Sequence, residues 1–130
     1  MRTMLAVLVA GLGLVFTVPM SAHHSIAGEY DSAMPVTLTG TVTKLEWMNP
    51  HARLYIDVTG PDGTVSNWNV ELGSRSSLTR EGWTSKTLPT GATVTVKGNQ
   101  ARNGSKRING RDFAVQLPDG RKILSNIPQN

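Results

Sequence analysis

The sequence of 130 residues contains no cysteine. Disulfide bonds, thiolate metal ligands and a cysteine nucleophile are therefore excluded, as is a lipid anchor on a modified cysteine. The fold must then rest on a hydrophobic core or a closed sheet, and any soft metal ligand must be histidine or methionine. Aromatic residues make up only 5% of the chain, which is few for a surface that stacks nucleic-acid bases.

Patterns of common enzyme classes are also missing. No serine lies in a Gly-x-Ser-x-Gly elbow, no Gly-x-Gly-x-x-Gly or phosphate-loop segment occurs, and the carboxylates are scattered along the chain. We therefore expect a protein without catalytic activity.

Residues 1–22 have the features of a secretory signal peptide. Arg2 supplies a positive start, an uncharged apolar run extends from Met4 to Val18, and Ala22 offers a small residue before a cleavage site. The run is shorter than the roughly 20 apolar residues of a comfortable membrane span. We expect cleavage after Ala22 and a periplasmic or secreted protein without a membrane span, and an uncleaved N-terminal anchor is the alternative.

The processed chain is expected to carry a weak positive charge. Loss of Arg2 reduces the 13 basic residues to 12 against nine acidic ones, so the net charge falls from +4 to +3. Dedicated nucleic-acid binders carry a much denser basic surface.

Residues 36–126 show the alternation of apolar and polar side chains that predicts a β-sheet domain. The alternation of residues 36–43 changes phase at Lys44, which predicts a β-bulge with Gly40 helping the bend. Residues 52–59 and 66–72 predict two further strands joined by a tight turn. Residues 23–35 lack this period and are predicted to be an extended arm that leads into the sheet.

The second half of the domain is predicted to contain one short helix, from about Ser74 to Glu81, and the remaining strands. Strands are predicted for residues 92–97, 113–117 and 123–124. The stretch 98–111 is rich in glycine and asparagine, so a long mobile hairpin loop is predicted there. This order is that of the OB-fold, a small Greek-key barrel. We expect an all-β, OB-like barrel of five to six strands, closed or partly open, with an unclosed β-sandwich as the alternative.

The alternation also predicts which side chains share one core. The residues expected to be buried are Val42, Leu54, Ile56, Trp68, Val70, Val94, Val96, Phe113 and Val115. Those expected to be exposed are Thr37, Thr39 and Tyr55.

Three histidines occupy positions that suit a metal site. His23 and His24 would begin the processed chain, and His51 follows Asn49-Pro50 at the turn between the first two strands. A free α-amine and an imidazole, with usual pKa values of about 7.7–8.0 and 6.5, bind one ion together at little cost near neutral pH. A third nitrogen, from His24 or His51, would complete a set that copper(II) favours, and Met48 offers a thioether to copper(I). A solvated chain start and a hydrogen-bonded turn are the simpler interpretation.

Six short segments spread over nearly the whole processed chain form a recognisable set. They are Ala22-His23-His24-Ser25, Glu29-Tyr30-Asp31, Thr39-Gly40-Thr41-Val42, Glu46-Trp47-x-Asn49-Pro50-His51, Glu71-Leu72-Gly73 and Gly82-Trp83. The likeness continues through the late segments Gly98-Asn99-x-Ala101-x-x-Gly104 and Asp119-Gly120-Arg121-Lys122. The set resembles an uncharacterised family of small exported bacterial proteins, a domain of unknown function. The resemblance implies an OB-like barrel and a periplasmic location, and it implies no known activity.

We therefore expect a protein that binds a transition metal, copper more readily than zinc, and that uses His23, His24, His51 and Met48 as ligands. An envelope accessory protein that binds another protein or an oligomeric ligand through the barrel surface is the alternative. A nucleic-acid or oligosaccharide binder would use Arg53, Tyr55 and the basic residues of 97–111. Export removes most nucleic-acid partners, so we do not expect nucleic acid to bind.

Overall fold

The computed structural model describes the backbone of residues 26–116 and 122–126 and the side chains of residues 28–110. The elements in chain order are α1 (Ile26–Glu29), β1 (Tyr30–Glu46), β2 (Arg53–Thr59), β3 (Val65–Glu71), α2 (Arg75–Arg80), β4 (Thr93–Ala101), β5 (Arg107–Gln116) and β6 (Lys122–Asn126). The predicted signal peptide lies outside the described residues. No helix within the described part of the chain is long and apolar enough to cross a membrane.

Five strands form a closed barrel. Antiparallel pairing gives the order β3-β2-β1-β4-β5, and a parallel pairing of β3 with β5 closes the sheet. That closing seam joins Asn69 to Arg107, Val70 to Ile108 and Glu71 to Asn109. Strand β6 extends the sheet by pairing with residues 112–116 of β5. The predicted barrel, with one short helix between β3 and β4, is confirmed, and the unclosed sandwich is wrong.

Strand β1 is long because it serves two neighbours. It pairs with β4 through residues 35–41 and with β2 through residues 41–46. The predicted β-bulge is confirmed by a register shift between Val42 and Lys44. Gly40 is required where the strands approach closely, since a Cβ there would lie only 2.4 Å from the Asp57 carbonyl oxygen.

The core fills the barrel interior. Val42, Leu54, Ile56, Val70, Val94 and Val96 are buried in one cluster as predicted. Trp68, which was predicted to be buried, is only half-buried and packs against this cluster. Thr37 and Thr39 are exposed as predicted, whereas Tyr55 is half-buried. The side chains of Phe113 and Val115 lie outside the described set.

The predicted helix is confirmed as α2. Ser74 caps its first turn by accepting a hydrogen bond from the Ser77 amide, and Leu78 is fully buried. Gly82 follows the helix with a φ of 87°, a left-handed conformation that glycine adopts without strain. Trp83 and Leu88 then pack in the core.

Two regions differ from the sequence-based picture. Strand β1 begins at Tyr30 and not at Val36, because Tyr30 pairs with Ala101 and Pro35 pairs with Asn99, with an irregular register between them. Residues 31–35 bury no alternating set of side chains, so the sequence pattern does not reveal this part of the strand. Residues 26–29 of the predicted extended arm form helix α1. The long mobile loop predicted for residues 98–111 is wrong, since β4 and β5 occupy most of it and only residues 102–106 connect them.

Gly98, Asn99 and Asn109 lie in the paired part of this hairpin and do not form a turn, whereas Asn103 and Gly104 form the connecting turn. A Cβ on Gly98 would lie 1.7 Å from the Asn109 carbonyl oxygen, so only glycine permits this approach of the two strands. The buried Asn109 side chain accepts a hydrogen bond from the Asn99 amide at 2.8 Å. These residues build an irregular but paired stretch of sheet, with a register shift between Lys97 and Gly98.

Candidate functional site

His51 lies at the end of the barrel where β1 turns into β2. The peptide bond between Asn49 and Pro50 is cis. The following residues are held to the end of β3, since the Ala52 amide donates to the Gly73 carbonyl and the Leu72 amide donates to the Ala52 carbonyl, both at 2.9 Å. The turn that carries His51 is therefore tied by backbone hydrogen bonds to its neighbour.

The His51 ring is oriented by one hydrogen bond. Its Nδ1 lies 3.0 Å from the Leu72 carbonyl oxygen. A carbonyl oxygen only accepts, so Nδ1 must carry the proton, and the lone pair of the neutral ring is then on Nε2. Nε2 lies 3.9 Å from Glu71 Oε1, and the side chain is 40% exposed. A backbone carbonyl on one ring nitrogen is the usual support of a metal-binding histidine.

Glu71 connects His51 to a network of polar side chains. The Tyr30 hydroxyl donates to Glu71 Oε2 at 2.6 Å, and Arg107 Nη2 lies 3.6 Å from the same oxygen. Arg107 Nη2 also donates to the Tyr30 hydroxyl oxygen at 3.3 Å and pairs with Glu29 Oε1 at 2.5 Å. The network thus links the start of β1 to the closing seam between β3 and β5.

Tyr30 is the buried centre of this network. Its side chain is 2% exposed, and the Arg107 guanidinium lies 5.8 Å from the centre of its ring. Burial, followed by the hydrogen bond to Glu71, holds the pKa of the Tyr30 hydroxyl well above its usual value. The hydroxyl is therefore a permanent donor to Glu71 at physiological pH.

Of the four predicted metal ligands, the structure describes two. His51 has the orientation given above, and Met48 lies three residues before it with 43% of its surface exposed. His23 and His24 lie outside the described residues. Within the described residues, no group of three or more histidine, aspartate or glutamate side chains is arranged to hold a metal ion. A site at His51 would therefore need ligands from the N-terminal segment.

Glu71 carries no local sequence signal that marks it as a site residue. Its position in the sheet gives only an indirect indication that it lies near His51. Glu71 is the last residue of β3, and it pairs with Arg53 of β2, which follows His51 by two residues. Once the strands are aligned, Glu71 and the His51 turn lie at the same end of the barrel.

The surface suggested for nucleic acids or oligosaccharides is engaged in intramolecular contacts. The Tyr55 hydroxyl donates to Glu46 Oε2 at 3.2 Å, and Lys44 Nζ lies 5.6 Å from the centre of the Tyr55 ring. From the basic stretch, Arg107 pairs with Glu29, and Lys106 Nζ donates to a serine hydroxyl on β3 at 2.5 Å. This surface lacks an open aromatic platform among the described side chains.

A shallow depression of about 530 Å³ lies between β1 and the segment after α2. It is lined by Lys44, Leu45, Lys86, Leu88, Pro89 and three hydroxyl side chains. The Lys44 amine already donates to Glu46, and no imidazole or carboxylate contributes to the lining. The depression therefore offers no set of metal ligands.

The comparison with known families assigns the chain without assigning an activity. A family model described as a family of unknown function, DUF6152, matches residues 13–110, and the chain belongs to this family. The match includes all four predicted ligands and Glu71. No curated protein matches the chain.

Proposed function

We propose that this chain is an exported protein, periplasmic or secreted, that binds a transition-metal ion and has no catalytic activity of its own. Copper is preferred to zinc. The ion is held by the N-terminal histidines, His23 and His24, together with His51. Met48 offers a thioether if the ion is copper(I).

The observation that carries this proposal is the orientation of His51. Its Nδ1 donates to the Leu72 carbonyl, so Nε2 keeps its lone pair in a side chain that is 40% exposed. The ring is thereby held in one tautomer and one orientation before any ion arrives, which lowers the ordering cost of binding.

The anchoring of Glu29 supports the participation of the N-terminal histidines. Glu29 Oε1 lies 2.5 Å from Arg107 Nη2, and the same nitrogen lies 3.6 Å from Glu71 Oε2. Glu71 Oε1 in turn lies 3.9 Å from His51 Nε2. His23 precedes Glu29 by six residues, and because Ile26–Glu29 is helical this segment spans at most roughly 15 Å. The first residue of the processed chain is therefore within reach of the His51 ring.

Titration of copper(II) into the exported protein and two variants tests the proposal. His51→Ala and a chain with one extra residue ahead of His23 should each lose well over tenfold in affinity. The first variant lacks a ring nitrogen, and the second displaces the α-amine from its chelate. The proposed site does not exist if both bind as tightly as the authentic chain.

His51→Asn provides a matched control for the fold. The asparagine amide can donate to the Leu72 carbonyl as the histidine Nδ1 does, but it has no counterpart of Nε2. We expect His51→Asn to unfold at the same urea concentration as the authentic chain, within error, and to lose as much copper(II) affinity as His51→Ala.

A further inference from the structure

Glu71 has one carboxylate oxygen held by its neighbours and the other next to His51. Tyr30 donates to Oε2 at 2.6 Å, and Arg107 lies 3.6 Å from that oxygen. Oε1 lies 3.9 Å from His51 Nε2. With Glu71 only 11% exposed, the carboxylate has little freedom to turn away.

The separation of these two atoms suits a shared metal ion. Metal–nitrogen and metal–oxygen bonds to histidine and glutamate are about 2.0–2.2 Å long, so one ion can bind both atoms when they are no more than about 4.3 Å apart. The observed 3.9 Å satisfies this limit. Hydrogen bonds to the second oxygen are the usual support of a ligating carboxylate.

The local charges also favour a cation at this position. Glu29, Glu71 and Arg107 together carry one net negative charge beside the His51 ring. The nitrogen ligands of the proposed site are neutral, so Glu71 is the group that offsets the charge of a divalent ion. A carboxylate and imidazole set suits copper(II), whereas copper(I) selects sulfur ligands.

We infer that Glu71 is a carboxylate ligand of the metal site at His51 and that this site binds copper in its divalent state. The inference rests on the proposed function, and it adds a ligand and an oxidation state to it. Tyr30 and Arg107 are positioning residues that hold Oε2 and direct Oε1 toward the ion.

Copper(II) and copper(I) affinities of three glutamate variants of the full exported chain test this inference. Glu71→Gln should lower copper(II) affinity more than tenfold and change copper(I) affinity less than threefold. Glu71→Asp keeps the charge, but its shorter side chain places the oxygens farther from the ion. Its copper(II) affinity should therefore also fall at least tenfold. Glu46→Gln removes the same charge from the same outer face and should change copper(II) affinity less than threefold.

The electron paramagnetic resonance spectrum of bound copper(II) separates ligation from a loss of stability. Its hyperfine splitting should change in Glu71→Gln and stay unchanged in Glu46→Gln. Normal copper(II) affinity in Glu71→Asp, or a loss in Glu46→Gln equal to that in Glu71→Gln, would overturn ligation by Glu71.

The variants also separate this inference from the proposed function. If His51→Ala loses copper(II) while Glu71→Gln binds it normally, the inference fails and the proposed function stands. If His51→Ala and Glu71→Gln both bind copper(II) normally, both fail.

Discussion

Replacing Tyr30 with phenylalanine removes one hydroxyl group from the centre of the network and leaves the buried ring in place. The hydroxyl donates to Glu71 at 2.6 Å and accepts from Arg107 at 3.3 Å. A hydrogen bond to a charged group contributes about 1.5–3 kcal/mol to stability. We therefore expect the free energy of unfolding to fall by about 2 kcal/mol at pH 7.

The raised pKa of Tyr30 makes this loss depend on pH. An unfolded tyrosine ionises near pH 10, while the folded Tyr30 keeps its proton to higher pH. The unfolded state then binds fewer protons than the native state, so stability falls as the pH rises above 10. For Tyr30 this fall is about 1 kcal/mol between pH 10 and 11, where the unfolded tyrosine is only partly ionised at the start. The phenylalanine variant lacks the hydroxyl and does not show this fall. The difference in free energy of unfolding between the authentic chain and the variant should therefore narrow by that amount.

Urea unfolding followed by tryptophan fluorescence at pH 7, 10 and 11 measures both effects. Tyr55→Phe is the matched control, because its half-buried hydroxyl makes a longer hydrogen bond, of 3.2 Å, to Glu46. It should lose less than about 1 kcal/mol at pH 7. Two results would refute this description of the network. One is a free energy of unfolding that falls by less than about 0.5 kcal/mol in Tyr30→Phe at pH 7. The other is a difference in free energy of unfolding between Tyr30→Phe and the authentic chain that stays constant between pH 10 and 11.

Three further predictions concern the core, the hairpin and the metal. Ile56→Ala should lower the free energy of unfolding, measured with urea, by about 2–5 kcal/mol, because this side chain is fully buried in the barrel. Thr37 is exposed, so Thr37→Ala should change the same quantity by less than about 0.5 kcal/mol. Gly98→Ala should cost about 2 kcal/mol or more, because the new methyl group meets the Asn109 backbone. A melting temperature equal to that of the authentic chain would contradict this. Copper(II) affinity should fall as the pH is lowered from 7.5 to 5.5, since protons compete for the ligand nitrogens, and pH-independent binding would exclude histidine ligands.

The parts of the fold that sequence predicts well are those with local signals. The strands around Leu54, Ile56 and Val70 alternate with period two, and that alternation places their side chains in the observed core. Helix α2 carries its own cap at Ser74 and its own terminator at Gly82, so both ends were predictable. The bulge after Val42 was visible as a change of phase.

Residues 98–111 were wrongly predicted to be a long loop because glycine occurs both in turns and where two backbones approach closely. Gly98 and Gly110 resemble turn residues in the sequence, yet Gly98 lies in a paired strand opposite Gly110. Its missing side chain makes room for a neighbouring backbone. Nothing local distinguishes that use from a turn, because the atom it avoids belongs to another strand.

The candidate site was predictable only in part for a similar reason. His51 was singled out from its place beside Asn49-Pro50, and the structure adds the bond that orients its ring. The contacts of Glu71 and Arg107 with Tyr30 join residues 41 and 77 positions apart in the chain. Such contacts depend on the register of β3 against β5, which the sequence pattern does not specify. Whether His23 and His24 join His51 stays a prediction.

An intact-mass measurement of the exported protein under native conditions, with and without added copper(II), tests the central claim most directly. We expect a chain that begins at His23 and that gains the mass of one copper ion per molecule, with no such gain for His51→Asn. A chain that retains no copper, or that retains it equally well after His51→Asn, would contradict the account.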